Sequence, residues 1–318
     1  MKILITDKMA QEAIDIFKDA GHEVKYDEMD GATLLKEISD YDALMVRGRT
    51  KAVTEIVQAG ANGKLKVIGR AGVGVDNVDI KTAAENGIPV VNAPTGSTAS
   101  VAELAFAHML SLIRFIPIAD NSMKKHEWLK KQLKGNELNG KTLGLIGSGN
   151  IAQHTAKIAI GFGMKVLVYS PHCTDLKAKN MGATRKELND ILKESDFVSL
   201  HMPHTKDTHY ILDSNNLSLM KKSAYLINCS RGGTVDENAL YDVLKDGKIA
   251  GAGIDVFEKE PPESDNKLLT LDNVVLTPHL GANTNEAQIR AGTICAEQIL
   301  KVLNGEKPDY CVNRDILK

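Results

Sequence analysis

Short runs of β-branched and other apolar residues alternate with stretches of helical period along the first hundred positions. Strand-like runs fall at 2–6, 23–26, 43–46, 66–69 and 89–91, and helical patterns near 11–20 and 32–39. Strands separated by helices of about ten residues read as parallel pairs with helical crossovers. The alternation resumes at 141, with strands at 141–146, 165–169, 196–200, 224–228, 250–254 and 274–277 and helices near 151–161, 185–193, 237–245 and 285–303. Between the halves, a run opening at Ser97 or Thr98 carries Ala102, Leu104, Ala105, Phe106, Met109, Leu110, Leu112 and Ile113 toward Pro117. Its apolar residues cover nearly every helical face, which predicts a buried helix. No strand follows the helix 285–303 in its own half, so it is expected to cross back to the first. The predicted domains are 1–97 with 285–318, and 98–284, the latter including a lysine-rich stretch at 120–140.

A length of 318 residues suits two such domains, each able to bury its own core. Lysine plus arginine (39) nearly balances aspartate plus glutamate (41), so the net charge of -2 offers no field for nucleic acid or an anionic membrane. An anionic ligand must then be held by local cations. Cys173, Cys229, Cys295 and Cys311 form no CxxC pair and no zinc-type spacing, and are expected as reduced thiols with no metal. The opening strand-like run reaches Asp7 too soon for a signal peptide, and the apolar stretch 101–119 is interrupted by Glu103, His108 and Arg114. The expectation is a cytoplasmic protein with no membrane segment.

Two glycine clusters follow predicted strands. Gly72-Val73-Gly74 leads into Val75-Asp76-Asn77-Val78-Asp79 with no immediate helix, whereas Gly147-Ser148-Gly149-Asn150-Ile151-Ala152 follows its strand directly and opens a helix. Glycines there permit a tight turn and close approach of backbone to an anion, and the helix N-terminus favours negative charge. Gly147, Gly149, Asn150 and Ile151 are therefore expected to hold the pyrophosphate of a dinucleotide. At the end of the next strand, where an acidic residue usually binds the ribose, the chain has Ser170. Ser170 can bond a ribose hydroxyl but does not repel a 2′-phosphate, so NAD is preferred while NADP stays open.

Three polar residues sit at or just beyond strand ends in the second half: Arg231 in Asn228-Cys229-Ser230-Arg231-Gly232-Gly233, Glu260 before Pro261-Pro262, and His279 after Thr277-Pro278. The carboxyl ends of parallel strands are where open sheets bind ligands. Alone, each would be a loop residue. Together they cover the oxidation of a hydroxy acid: arginine forks onto a carboxylate, histidine accepts the hydroxyl proton, and a glutamate fixes the imidazole.

These strings, with the glycine loop and Gly69-Arg70-Ala71-Gly72-Val73-Gly74-Val75-Asp76-Asn77-Val78-Asp79, resemble the D-isomer-specific 2-hydroxyacid dehydrogenase family over nearly the whole chain. The resemblance implies two Rossmann-like, doubly wound parallel-sheet α/β domains with the active-site cleft between them. It places the catalytic residues at Arg231, Glu260 and His279, and a nicotinamide carboxamide contact at Asp255, with Cys229 also beside the cofactor. In family members that act on phosphoglycerate, a string similar to Arg47-Gly48-Arg49-Thr50 contacts the substrate phosphate, and Arg70 would add charge. The stretch around Trp128 resembles the family's dimerisation arm, which makes Lys130 and Lys131 candidates to reach a neighbouring subunit's substrate in a homodimer. The implied reaction is NAD-dependent oxidation of 3-phospho-D-glycerate to 3-phosphohydroxypyruvate, in serine biosynthesis, by a core lacking a regulatory domain. Reduction of glyoxylate or hydroxypyruvate with NAD(P)H is the alternative, and a dinucleotide-sensing corepressor is a further one.

Overall fold

A computed structural model describes residues 1–317. It divides into two compact units, Met1–Thr98 with the described residues of Ala282–Lys318, and Ala99–Gly281. The first is built on five parallel strands, β1 (Lys2–Ile5), β2 (Glu23–Tyr26), β3 (Ala43–Val46), β4 (Val67–Arg70) and β5 (Val90–Asn92), in the order β2-β1-β3-β4-β5. Successive side chains of a strand face opposite sides, and helices cover both faces, so the central strand β3 is apolar and buried throughout while the edge strand β2 is mixed. Ile3 and Ile5 pack with Phe17, Cys295 and Ile299 on one face, while Leu4 joins Leu34, Leu44 and Ile68 on the other. Cys295 and Ile299 belong to the helix Asn285–Leu303, which completes the first unit's core.

The second unit holds seven parallel strands, β6 (Thr142–Ile146), β7 (Lys165–Tyr169), β8 (Thr184–Arg185), β9 (Phe197–Leu200), β10 (Tyr225–Asn228), β11 (Gly251–Ile254) and β12 (Val274–Leu276), in the order β12-β11-β10-β9-β6-β7-β8. Leu143 and Leu145 face Phe106, Met109 and Ala156; Val198 and Leu200 contribute to a second core with Leu192 and Leu240. Each sheet reverses its winding once, between β1 and β3 in the first unit and between β6 and β9 in the second. Ligands of doubly wound sheets bind outside the carboxyl ends of the strands at that reversal.

The apolar helix between the halves is shorter than its pattern predicts. It runs Thr98–Ile113, Phe115 turns left-handed at φ 55°, and a second helix, Ile116–Lys124, begins with Pro117 in its first turn. In an unbroken helix the Pro117 ring would strike the carbonyl of Ile113, whereas in a first turn its missing N–H costs nothing. Residues 125–140 contain turns but neither helix nor strand, and Trp128 is 74% exposed there. Four short helices, Thr54–Ala61, Ile80–Glu85, Asp175–Asn180 and Ser214–Ser218, have no counterpart in the predicted pattern. Among the described residues no single helix is long and apolar enough to cross a membrane.

Candidate active site

The turn after β6 stands at the reversal of the second sheet. Gly147 has φ 117°, and a Cβ there would overlap the carbonyl oxygen of His201, the residue after β9. This glycine therefore lets two strand ends meet, so its requirement comes from the protein's own backbone. Gly149 is different: a Cβ would meet nothing within 4 Å, and it is the N-cap of the helix Asn150–Gly161, with no side chain capping the first turn. Open space at a helix N-terminus is what an anion needs. Asn150 and Ile151 lie in that first turn; Ala152 is fully buried in the core, which explains a small residue there. Ser170 follows β7, and its hydroxyl accepts the His172 N–H at 3.3 Å. His201 escaped the sequence reading. Burial takes its imidazole down to about 4, so it is neutral beneath the glycine turn, its Nε2 2.9 Å from the Ser199 hydroxyl.

Arg231 is presented by a turn that Asn228 organises. The buried Asn228 side chain accepts from the Ser230 N–H and hydroxyl at 3.1 and 2.7 Å and donates to the Arg231 carbonyl at 3.2 Å. Gly232 lies so close to the Phe257 carbonyl that a side chain would overlap it, which brings this turn against the segment leading to Glu260. Glu260 Oε1 accepts the Phe257 N–H at 3.1 Å and Oε2 meets His279 Nδ1 at 2.7 Å. Burial raises the Glu260 pKa, but the hydrogen bonds from His279 and Phe257 and the charges of His279 and Arg231 outweigh it and hold the carboxyl below its usual range. An ionised carboxylate only accepts, so His279 Nδ1 is the donor to Glu260 and Nε2 is the ring nitrogen left to exchange a proton. The structure thus brings Arg231, Glu260 and His279 into one electrostatic group.

His279 has φ 53°, a left-handed conformation that costs a side-chain-bearing residue about 1–2 kcal/mol. Its loop is held by Asp255, which is fully buried. Asp255 Oδ1 accepts the Thr277 hydroxyl at 2.6 Å and the Leu280 N–H at 2.7 Å, Oδ2 accepts the Gly281 N–H at 2.9 Å, and its carbonyl accepts the His279 N–H at 2.9 Å. The side chain expected at a carboxamide is therefore committed first to the loop, with one lone pair of Oδ2 left over. Cys229 is buried, and burial followed by the Asp255 charge pushes its thiol well up, so it is an uncharged S–H.

In the first unit, Arg47, Gly48 and Arg49 follow β3, and Asp7 follows β1, at that sheet's reversal. The loop winds around Asp7, which accepts the Arg47 N–H, the Thr50 N–H at 3.1 Å and the Thr50 hydroxyl at 2.8 Å. Arg49 is held within its own unit. Its Nε pairs with Asp7 at 3.3 Å, Nη2 donates to the Thr6 carbonyl and Nη1 to the Met29 carbonyl at 3.4 Å. Every nitrogen of that guanidinium is engaged within the unit. Among the described residues the Arg47 guanidinium donates from Nη1 alone, to the Lys8 carbonyl at 3.2 Å, and Gly48 beside it is exposed. Arg70 ends β4 with its guanidinium folded against Gly72, and its charge reaches the buried Cys295 thiol. Lys130 and Lys131 are exposed in the 125–140 segment of the second unit, joined to none of these groups.

Residues 106–281 match the family model described as the D-isomer specific 2-hydroxyacid dehydrogenase, NAD binding domain. A D-3-phosphoglycerate dehydrogenase of Methanocaldococcus jannaschii is 49% identical over 98% of this chain, which spans 59% of that relative's length. A hydroxypyruvate reductase of Thermotoga maritima is 46% identical, covering 95% of this chain and 98% of its own. Among solved structures, the NAD-complexed form of a D-isomer specific 2-hydroxyacid dehydrogenase from Lactobacillus delbrueckii ssp. bulgaricus matches with a TM-score of 0.83 at 29% identity, over 98% of this chain and 100% of that one. The chain belongs to the D-isomer specific 2-hydroxyacid dehydrogenase family.

Proposed function

We propose that this chain oxidises 3-phospho-D-glycerate to 3-phosphohydroxypyruvate with NAD, the entry to serine biosynthesis. The observation that carries the chemistry is the 2.7 Å pairing of His279 with Glu260, under the charge of Arg231. Bound nicotinamide supplies the acceptor for the C2 hydride. His279 Nε2 takes the C2 hydroxyl proton, Glu260 stabilises the resulting imidazolium, and Arg231 binds the C1 carboxylate. The residues fit the dinucleotide: Gly149 leaves room where a Cβ meets nothing, Asn150 and Ile151 offer first-turn amides, and Ser170 bonds a ribose hydroxyl. A carboxamide N–H would take the remaining lone pair of Asp255 Oδ2, beside the neutral Cys229. Arg47, with most of its guanidinium uncommitted, takes the substrate phosphate.

We further infer a homodimer. Trp128 is 74% exposed, and the apolar groove lined by Leu112, Phe115, Ile118, Tyr225 and Val275 lies in the same unit, so that two copies bury both. Lys130 and Lys131 are then carried to the other subunit's substrate. The four unpaired cysteines, three of them buried, suit a reducing compartment such as the cytoplasm. A second reading, reduction of hydroxypyruvate or glyoxylate, is favoured by the Thermotoga relative matched over 98% of its length and by Ser170 in place of an acidic residue.

A panel of 3-phosphoglycerate, hydroxypyruvate and glyoxylate with NAD(H) and NADP(H) separates the two. The expected result is the highest kcat/KM for the phosphorylated pair with NAD(H). Glyoxylate turning over more efficiently, or NADPH outperforming NADH, hands the chain to the second reading.

A further inference from the structure

One buried imidazole has no part in the chemistry above. His108, on the helix Thr98–Ile113, is 2% exposed and packs against Gly253 of β11, where a Cβ would come within 2.6 Å of its own. Its Nε2 lies 3.0 Å from the Thr277 hydroxyl, which itself donates its only proton to Asp255 Oδ1 at 2.6 Å. Thr277 can then only accept from His108, so Nε2 carries the imidazole proton. Nδ1 has no hydrogen-bond partner among the described residues. Burial pushes the imidazole down, against the pull of Asp255, so the ring is neutral near pH 7. A leucine would occupy this position without burying two ring nitrogens, so the histidine adds direction more than stability.

That direction runs to the base. Asp255 receives Thr277 on one side of His279 and the Leu280 and Gly281 amides on the other, and it holds residue 279 in a backbone conformation that side chains avoid. A Thr277 hydroxyl anchored by His108 cannot rotate away from Oδ1. Without that anchor the carboxylate is free to turn and the amides flanking His279 loosen. We propose that His108 is a positioning residue for His279, acting through a His108–Thr277–Asp255 relay that fixes the loop on both sides of the base. The proposal rests on the reading of His279 as the base.

The test compares H108L, H108Q and T277V with the parent enzyme. H108L is expected to lower kcat about tenfold, within the range that misplacing a catalytic group produces, while the substrate KM stays within about twofold. H108Q, whose amide N–H reaches where Nε2–H was, should recover most of the loss. Thermal stability should rank the other way, with H108L at least as stable as H108Q, a crossing that a packing role does not produce. H108L/T277V should be no slower than the slower single variant, since both remove one contact. Imidazole ¹⁵N shifts of the parent should show His108 protonated at Nε2 and bare at Nδ1, and amide exchange at Leu280 and Gly281 should quicken in H108L but not in H108Q. An unchanged kcat in H108L, or the opposite tautomer, overturns the relay. H279A separates the two claims. A loss of about 10²- to 10⁴-fold in kcat supports the base, and near-parental activity sinks that reading while the tautomer and exchange data still decide the relay.

Discussion

Arg47 and Arg49 flank one glycine, yet their guanidinium groups face different fates. Arg49 is spent on Asp7 and two carbonyls, while Arg47 gives up one N–H. A charge-assisted hydrogen bond is worth about 1.5–3 kcal/mol, so R47A should raise KM for 3-phosphoglycerate about 10- to 100-fold and change glyoxylate kinetics little. R49A should instead lower unfolding stability by about 1 kcal/mol, read by denaturant titration, with a smaller effect on KM. Equal KM losses in the two variants, or equal losses for the two substrates, would refute the division of labour. The pairing of Arg49 with Asp7 was illegible in the sequence because the partners are far apart along the chain and meet only through the β1–β3 neighbourhood. Asn228, Thr277 and His108 were missed for a related reason: each acts on the backbone or hydroxyl of another residue, and such roles leave no motif. Arg231, Glu260 and His279 stood out because each lies in the loop after a strand's carboxyl end and their chemistries complement one another.

At the scale of elements, the apolar strands were readable from their own composition, and the short helices were not. Ile80–Glu85 has six residues, fewer than two turns, too few for a period to emerge. Its stability comes from the cap. Asp79 accepts the Thr82 N–H at 3.0 Å, the Thr82 hydroxyl at 2.7 Å and the Thr54 hydroxyl at 2.6 Å, tying two helices together. The side-chain bond from Thr54 and the bonds from Thr82 take its pKa from 3.8 to about 2. A lowered folded-state value means stability that is present above about pH 4 and lost as pH falls toward about 2. D79A should cost about 1–2 kcal/mol at neutral pH, with parent and variant converging as the pH drops through that window. A constant difference across the window would show that the cap acts without its charge. The break at Phe115 was missed because apolar residues continue past it as far as Ala119; only Pro117 marked it, and the proline fits equally well as the end of one helix or the start of another.

Across the whole molecule, the near-zero net charge conceals cations with assigned tasks, and the exposed apolar surface is where a second copy is expected. Met123 and Ile116 are 54% and 53% exposed, and Trp128 74%. A buried tryptophan anchor typically contributes 2 kcal/mol or more, so W128S should weaken a dimer about 30-fold or more. Light scattering at low micromolar concentration should give the parent about twice 34.5 kDa and the variant a mass approaching one chain. A parent that runs as a monomer would overturn the dimer. The interleaved order of the two units also bears on how the molecule is made. The first unit's core needs Cys295 and Ile299, which leave the ribosome only after the whole of Ala99–Gly281. At about 5–20 residues per second that interval lasts roughly 10–40 s. The amino-terminal sheet must wait through it with one face only partly covered, by the helix that carries Phe17, while the later unit can already close, so a chaperone acting during synthesis would find its binding surface on the residues made first.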